Sequence, residues 1–312
     1  MGALSNVETH WMKVEGKLAR QIAGGGFIVT AEVLPPTSAD GEALERAARA
    51  LGDKPSAVNV ADNHFGIALS SLAAAAVLAR AGLDPVVQIV TRDRNRIALQ
   101  SDLLGAACLG VRNVLCLSGY HQTLVGCPDS SNVYDLDSIQ LVAAVRRMGD
   151  EGVLLNGTQV AGGFAMLPGA TANPHLRPLE LNVLRLAKKV EAGAAFIQTQ
   201  AVFSVESFGE WLAAARDAGI TDRTAVLAGV LPLRDAEEAV RLRESFTDHP
   251  IPDSIVDRLK RAGSREAQRK EGLALCSEVI GQIKTLKGLR GIHILSGGQE
   301  AVVPELLSSA GL

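Results

Sequence analysis

The chain has 312 residues, of which 47% are hydrophobic and 21% are charged, an ordinary balance for a protein with a large core. The formal net charge of −3 provides no global positive field, so neither nucleic acid nor an anionic membrane is an expected partner. No apolar stretch approaches the roughly 18 to 20 residues that span a bilayer as a helix, which argues against a membrane segment.

The N-terminal segment predicts a helical extension over residues 1–24. It carries charged residues such as Glu8 and Lys13 and has no apolar signal core, so we expect a leading helix that covers the rest of the protein or a partner. We expect residues 25–312 to form a single domain.

Short apolar runs alternate along the chain with segments of helical periodicity. The runs are 27–34, 57–62, 85–91, 113–119, 159–166, 194–200, 225–231 and 291–297. The helical segments are 42–51, 68–81, 96–109, 137–148, 179–191, 205–217, 235–245 and 266–287. Near-continuous apolar strands are typical of a parallel sheet that is buried on both faces. Eight alternations predict an α/β protein with a single (β/α)8 TIM-type barrel, and a doubly wound open sheet is the alternative.

Two long predicted loops, 120–136 and 166–178, directly follow strands. In a β/α barrel the loops after the strands form the functional face, so these loops are expected at the binding site. The glycine run 24–26 precedes a strand instead of joining a strand to a helix, and is therefore not a dinucleotide-binding fingerprint.

An acidic residue, Glu32, lies inside the first apolar strand and is followed by Leu34 and two prolines. Burial penalises a charged carboxylate, so this residue is either a structural carboxylate paired in the core or a general acid with a raised pKa. Its place near the end of a strand favours the second interpretation.

Two glutamines, Gln198 and Gln200, lie two residues apart in the sixth strand and therefore share one face of it. Their amides offer the mixed donors and acceptors that recognise a heterocycle. The alternative is a pair of core glutamines that are bonded to neighbouring strands.

Two clusters of cations are candidates for holding an anion. The helical segment 179–191 has polar residues at spacings of three and four, which form one stripe that is either a solvated face or a diphosphate site. These residues are Asn182, Arg185, Lys188 and Lys189. The segment 92–96, Arg-Asp-Arg-Asn-Arg, follows the third strand and is either a self-paired helix start or a cofactor contact.

Cysteine and histidine usage argues against a metal site. The four cysteines contain no CxxC pair and no zinc-like histidine spacing, so we expect free thiols in a reducing cytoplasm. The six histidines form no ligand-spaced cluster, and His293, inside the eighth strand, is more typical of a core residue than of a catalytic one.

Several segments, taken in order, resemble the methylenetetrahydrofolate reductase family. AEVLPP resembles the family's E-F-x-P-P segment, and VTRDRNRIALQSDLLGAACLGVRNVLCLSG is similar to the stretch from the third to the fourth strand of many bacterial members. RLAKKVEAGAAFIQTQAVF and VLAGVLPL are similar to the sixth and seventh strand regions. The resemblance covers roughly residues 25 to 312.

The resemblance implies a β/α barrel that holds flavin adenine dinucleotide (FAD) and binds a folate at the mouth of the barrel. NADH or NADPH is the implied electron donor. Glu32 matches the general acid that opens the folate imidazolidine ring, Gln200 matches a glutamine that contacts the pterin, and Phe203 lies in the adjacent loop. The residues matching the helix that contacts the ADP half of the cofactor are Asn182, Arg185, Lys188 and Lys189.

The sequence also departs from the family pattern around the implied site. Ser118-Gly119-Tyr120 stands where members commonly have Arg-Gly-Asp or a similar triplet ending in an acid near the flavin. A neutral phenol there is expected to change the electrostatics or to block space. The other departures are Gln88 in place of a frequent His, Asn182 in place of a common Asp, and Glu238 and Leu242 in place of folate-site Gln and Phe.

Two functions therefore follow from the resemblance. The first is flavin-dependent reduction of 5,10-methylenetetrahydrofolate to 5-methyltetrahydrofolate in one-carbon metabolism, with a partner subunit, a homo-oligomer or an unusual electron donor as possible accompaniments. The second is a barrel that binds folate or a partner without hydride transfer and serves a one-carbon or demethylation pathway. A folate-dependent methyltransferase barrel fits less well, because the order of motifs is that of the reductases.

Overall fold

The computed structural model describes residues 14–245 and 250–312. Within these ranges eight parallel strands close into a barrel in which the neighbours follow chain order. The strands are β1 (Ile28–Val33), β2 (Ala57–Val60), β3 (Pro85–Val90), β4 (Asn113–Leu117), β5 (Leu167–Ala172), β6 (Phe196–Ala201), β7 (Ala225–Val230) and β8 (Leu289–Ile294). The barrel is closed by the pairing of β1 with β8, which confirms the (β/α)8 prediction over the open sheet.

Helices surround the barrel and pack their apolar faces on the strands. They are α1 (Lys17–Gly24), α2 (Glu42–Leu51), α3 (Ser71–Arg80), α4 (Arg96–Cys108), α5 (Ser138–Asp150), α6 (Leu179–Ala192), α7 (Val205–Asp217), α8 (Ala236–Ser245), α9 (Asp253–Arg261), α10 (Arg265–Ile283) and α11 (Val302–Ala310). Helix α7 illustrates the pattern, since its buried residues Phe208, Trp211, Leu212 and Ala215 recur at helical spacing. No helix in the described part of the chain is long and apolar enough to cross a membrane.

Helix α1 lies at the N-terminal end of the barrel. Leu18, Ala19 and Ile22 are buried there in a cluster that includes Ile28 of β1 and Phe196 of β6. The part of the predicted extension that falls in residues 1–13 lies outside the described residues, and its boundary at residue 24 stays a prediction.

The prediction of the fifth strand was wrong. The apolar run 159–166 lies in a connection that contains Gly162 and Gly163, both at positive φ, and β5 instead occupies the start of the predicted loop 166–178. Pro168 and Gly169 inside β5 are typical of a turn, but a Cβ at Gly169 would lie 2.2 Å from the ring of Phe196. The glycine is there because a neighbouring aromatic ring needs the space, which the local sequence does not reveal.

Helices α9 and α11 were not among the predicted elements. The other helices that follow a strand agree with the predicted segments to within a few residues. Helix α5 begins where a cap allows it, because Asp137 accepts from the backbone N–H of Gln140 and the Gln140 side chain accepts in return from the N–H of Asp137.

Candidate functional site

A cavity of about 260 Å³ opens at the C-terminal ends of the strands. Its lining includes residues from β1, β3, β4, β5, β6 and β8 and from the loops after β2 and β4. This volume is close to the lower end of the roughly 300–1,000 Å³ that small-molecule sites occupy. The predicted residues that line it are Glu32, Gln88, Ser118, Gly119, Tyr120, Arg185, Lys189 and Gln200.

Glu32 of β1 is almost fully buried, with 6% of its surface exposed, at the floor of this cavity. Gln88 Nε2 of β3 donates to its Oε1 at 3.4 Å. Burial raises the pKa of Glu32 to about 7; the hydrogen bond from Gln88 opposes this shift, and the nearby Glu300 carboxylate adds to it. The site therefore holds a carboxyl group that keeps its proton at pH values well above those at which an ordinary glutamate is protonated. This group can act as an acid near neutral pH.

The stability of the fold is expected to depend on pH through Glu32. Between about pH 4.5 and pH 7 the folded protein holds this proton while the unfolded chain has released it, so the contribution of Glu32 to stability falls as pH rises through that window, opposite in sign to that of buried His293, whose pKa is lowered. The difference amounts to about 3 kcal/mol. Urea unfolding of the wild-type protein and of Glu32→Gln at about pH 5 and about pH 8 isolates this component, because the other titrating groups contribute to both proteins and Glu32→Gln lacks only that of Glu32. If the free energy of unfolding depended on pH equally in both proteins, the result would contradict the raised pKa of Glu32.

The two glutamines of β6 have different surroundings. Gln198 is buried and exchanges hydrogen bonds with Asn59 of β2, at 2.7 Å and 3.0 Å, and donates to Thr30 of β1 at 3.1 Å. The interpretation as a core glutamine therefore describes its contacts, although it also borders the cavity. Gln200 is half-buried and lines the cavity close to where β6 ends. Of the two amides, that of Gln200 is the more accessible to a bound molecule.

The predicted stripe on α6 divides into three environments. Arg185 and Lys189 line the cavity, whereas Lys188 is exposed on the outside. Lys189 Nζ donates to the carbonyl of Thr171 at 2.6 Å, and burial together with the charge of Arg185 lowers the pKa of Lys189 to about 8. Asn182 is buried and donates to two backbone carbonyls of the loop after β5.

The two cations have no carboxylate within ion-pair distance among the residues that the structure describes. A smaller pocket of about 130 Å³, which Asn182 borders, shares Arg185, Lys189, Thr171 and Gln200 with the main cavity. A ligand in the cavity can therefore extend along α6 past two unpaired positive charges, an arrangement that suits an anionic group.

The charged segment after β3 is paired with carboxylates. Arg92 forms a two-pronged contact with Asp93, Arg94 pairs with Asp62, and Arg96 pairs with Asp135. The self-paired interpretation therefore describes Arg92 alone, since Arg94 and Arg96 pair with carboxylates outside the segment. Arg92 nevertheless borders the cavity and donates to the backbone carbonyl of Tyr120 at 3.0 Å, so it holds the loop after β4 in place.

Aromatic rings cluster around the position at which the family pattern has an acid. The half-buried ring of Tyr120 meets that of His64 edge-on at a centroid distance of 5.5 Å, and His64 meets Phe65 in the same way at 4.1 Å. Gly119 has a φ of 85°, and a Cβ there would lie 3.2 Å from Val90 of β3. The glycine allows the loop to pass close to β3, which brings Ser118 and Tyr120 to the cavity.

Two predicted substrate residues are placed away from the cavity. Phe203 packs against the apolar cluster that contains Leu233 and Leu259. Glu238 pairs with Arg234 and accepts from its backbone N–H at 2.8 Å. Their roles in binding stay predictions.

Several polar residues in or near the cavity were not predicted as site residues, among them Asp62, His64 and Thr171 in its lining and Thr30, Asn59 and Glu300 close to it. Thr30 and Asn59 lie within apolar strands but are uncharged, so they lack the signal of a buried charge that singled out Glu32. Glu300, in the segment after β8, carries a carboxylate near Glu32, and its place after the last strand was the available signal.

Comparisons with known proteins support one family. A model of the family described as methylenetetrahydrofolate reductase matches residues 17–311. A probable methylenetetrahydrofolate reductase (NADPH) from Caenorhabditis elegans is 25% identical over 244 residues, which cover 78% of this chain and 34% of the relative. A probable methylenetetrahydrofolate reductase (NADH) from Oryza sativa subsp. japonica is 24% identical over 325 aligned residues, which cover 96% and 51%. The chain thus spans about a third to a half of these curated relatives.

A solved structure has the same fold. It is a protein from Clostridium thermocellum that binds two copies of 5-methyl-5,6,7,8-tetrahydrofolic acid, with a TM-score of 0.66 and 12% identity. The match covers 94% of this chain and 98% of that one.

Proposed function

This chain belongs to the methylenetetrahydrofolate reductase family, and on that premise we propose that it binds FAD and reduces 5,10-methylenetetrahydrofolate to 5-methyltetrahydrofolate. The observation that carries the proposal is the buried carboxyl group of Glu32 on the cavity floor, with a pKa raised to about 7. Gln88 and Gln200 border the same cavity and offer amide groups to a heterocycle.

The chemistry of the substrate explains why such a group is needed. Reduction of the methylene bridge consumes one hydride and one proton and breaks one carbon–nitrogen bond of the imidazolidine ring. Glu32 supplies the proton to the departing nitrogen, which leaves the bridging carbon electrophilic. A carboxyl group that is still protonated near neutral pH does this more readily than an ordinary glutamate, which has lost its proton.

The residues around the cavity fit a flavin dinucleotide. Arg185 and Lys189 offer two positive charges without a carboxylate partner in the described ranges, and they suit a diphosphate. Asn182 borders the adjoining pocket into which the rest of the cofactor would extend. When it is bound, the flavin supplies the hydride, which it obtains from NADH or NADPH.

Replacing Arg185 by alanine is expected to weaken FAD binding by about ten- to a hundredfold, because it removes a charge-assisted hydrogen-bond donor. Lys188→Ala is the matched control, since Lys188 lies on the same helix but is exposed outside the cavity. Titration of the purified apoprotein with FAD, followed by flavin fluorescence, measures both affinities. If the two variants bound FAD with equal affinity, the result would contradict the placement of α6 at the cofactor site.

A second candidate function is folate binding without hydride transfer, and Tyr120 favours it. This residue places a phenol ring beside His64 where the family pattern has an acid near the flavin. The solved Clostridium thermocellum protein, which binds a reduced folate, supports folate as a ligand under either proposal.

Tyr120→Asp separates the two candidates. If the wild-type protein binds folate but catalyses no turnover, the variant is expected to gain flavin-dependent turnover of at least about tenfold over background, because it restores a negative charge near the flavin site. If the wild-type protein is already an active reductase, the same substitution is expected to change its rate by less than that.

The visible spectrum of the purified protein tests the proposed reductase function. We expect a yellow protein, or a colourless one that takes up FAD, whose reduced form is reoxidised by methylenetetrahydrofolate without oxygen. A protein that binds folate in calorimetry, but neither contains nor accepts flavin, would favour the second candidate. Self-association and a partner subunit remain part of the proposal and are tested by the mass of the purified species in solution.

A further inference from the structure

A buried polar cluster lies directly under the cavity. It consists of Thr30 of β1, Asn59 of β2, Gln198 of β6 and His293 of β8, all of them at most 3% exposed. Gln198 and His293 also border the cavity above. The cluster therefore joins four strands next to the cavity.

The hydrogen bonds of this cluster converge on one nitrogen of the His293 ring. The amides of Asn59 and Gln198 pair reciprocally, so the Gln198 carbonyl oxygen accepts and one Nε2 hydrogen is already used. The other Nε2 hydrogen faces Thr30 Oγ1 at 3.1 Å and His293 Nδ1 at 3.3 Å. Thr30 Oγ1 lies 2.9 Å from His293 Nδ1, closer than its 3.4 Å from the carbonyl of Ile292. With Nδ1 as an acceptor, both the Gln198 amide and the Thr30 hydroxyl can donate to it, which favours this tautomer over the one with a proton on Nδ1.

The charge state of His293 fixes the other ring nitrogen. Burial lowers the pKa of His293 to about 3, so the imidazole is neutral at physiological pH. A neutral imidazole whose Nδ1 accepts must carry its proton on Nε2. Among the described residues Nε2 has no hydrogen-bond partner, and the ring borders the cavity.

We propose that His293 is a binding residue whose Nε2–H donates to a carbonyl oxygen or an unprotonated ring nitrogen of the heterocycle held in the cavity. This inference rests on the proposed function, since the heterocycle is then either the pterin or the flavin ring. Thr30 and Gln198 act as positioning residues, because they hold Nδ1 as an acceptor and so fix the tautomer. His293 is not a proton donor for catalysis, since its neutral ring keeps its single proton.

Two amide substitutions of His293 distinguish the role of its Nδ1 atom from that of its Nε2 atom. In His293→Asn the shorter side chain keeps a polar group near Thr30 and Gln198 but cannot reach the cavity, whereas in His293→Gln the longer amide places a donor near the position of Nε2. We expect His293→Asn to weaken binding of one heterocycle by about ten- to a hundredfold, and His293→Gln to retain most of the affinity. Titrations with FAD alone and with 5-methyltetrahydrofolate alone identify which ring is bound.

Histidine-selective ¹⁵N NMR of the full-length wild-type protein supplies a test that does not depend on the folding of a variant. The expected spectrum contains a neutral ring with its proton on Nε2, and the signal of that N–H shifts when the ligand binds. A proton on Nδ1, no shift with a bound ligand, or unchanged affinities in His293→Asn would overturn the assignment while leaving the proposed function intact. If the wild-type protein binds neither ligand, the proposed function itself fails, and His293 with it.

Discussion

Replacing Glu32 by glutamine is expected to lower the rate of methylenetetrahydrofolate reduction by about a hundred- to ten-thousandfold, the usual contribution of a positioned general acid. The amide has nearly the same size and can still contact Gln88, so the cavity should keep its shape while losing the transferable proton. The loss should appear in the step that consumes folate. Reduction of the bound flavin by its donor does not need this proton and should change by less than about tenfold.

The pH dependence of that step gives the sign of the effect. In the wild-type protein the rate should fall as pH rises through about 7, because the protonated form of Glu32 is lost. Glu300→Gln is the matched control: it removes a neighbouring negative charge, so the pKa of Glu32 should fall and the loss of rate should begin at lower pH. A Glu32→Gln protein that reduces folate at the wild-type rate would exclude Glu32 as the acid.

A second large effect is expected from Gly272→Ala in the middle of α10. A Cβ at this position would lie 1.8 Å from the carbonyl oxygen of Leu233, a backbone atom of the segment between β7 and α8. The helix or that segment would have to move, and we expect a loss of about 3 kcal/mol in the free energy of unfolding. Urea unfolding followed by circular dichroism measures the loss.

The same helix supplies a control for the glycine substitution. Gly281 also lies in α10, but a Cβ there would meet no atom within 4 Å. Gly281→Ala is therefore expected to stabilise the protein by about 0.5 to 1 kcal/mol through helix propensity alone. If both substitutions changed the free energy of unfolding in the same direction, this result would contradict the close packing of α10 on the segment before α8.

Much of the barrel was predictable because local chemistry marks its elements. Helices such as α5 and α7 begin and end close to the predicted residues, since their apolar periodicity is regular and each has a capping side chain at its start. Strand β5 was misplaced because Pro168 and Gly169 have the local signature of a turn. They belong to a strand because they pair with β4 and β6, and Gly169 leaves the space that the ring of Phe196 occupies, contacts that no local pattern contains.

The candidate site was predictable only in part. Glu32 and Gln200 were singled out because polar groups near the ends of barrel strands meet at one mouth, and both line the cavity. The stripe on α6 could not be divided from its spacing, because the rotation of a helix about its axis depends on tertiary packing. The structure places Arg185 and Lys189 toward the cavity and Lys188 outside.

The polar cluster beneath the cavity was also beyond prediction. The sequence suggested that His293 belongs to the core, which agrees with its burial, but not that its ring also borders the cavity. The direction of its hydrogen bonds depends on Thr30 and Gln198, which are 263 and 95 residues away along the chain.

A single turnover in the absence of oxygen tests the proposed function most directly. Protein carrying one equivalent of reduced FAD is mixed with methylenetetrahydrofolate, and the flavin absorbance and the folate product are followed together. We predict that oxidised flavin and 5-methyltetrahydrofolate appear at the same rate, and that both are slowed to the same extent in Glu32→Gln. Flavin that stays reduced while the folate is bound and unchanged would contradict the reductase function.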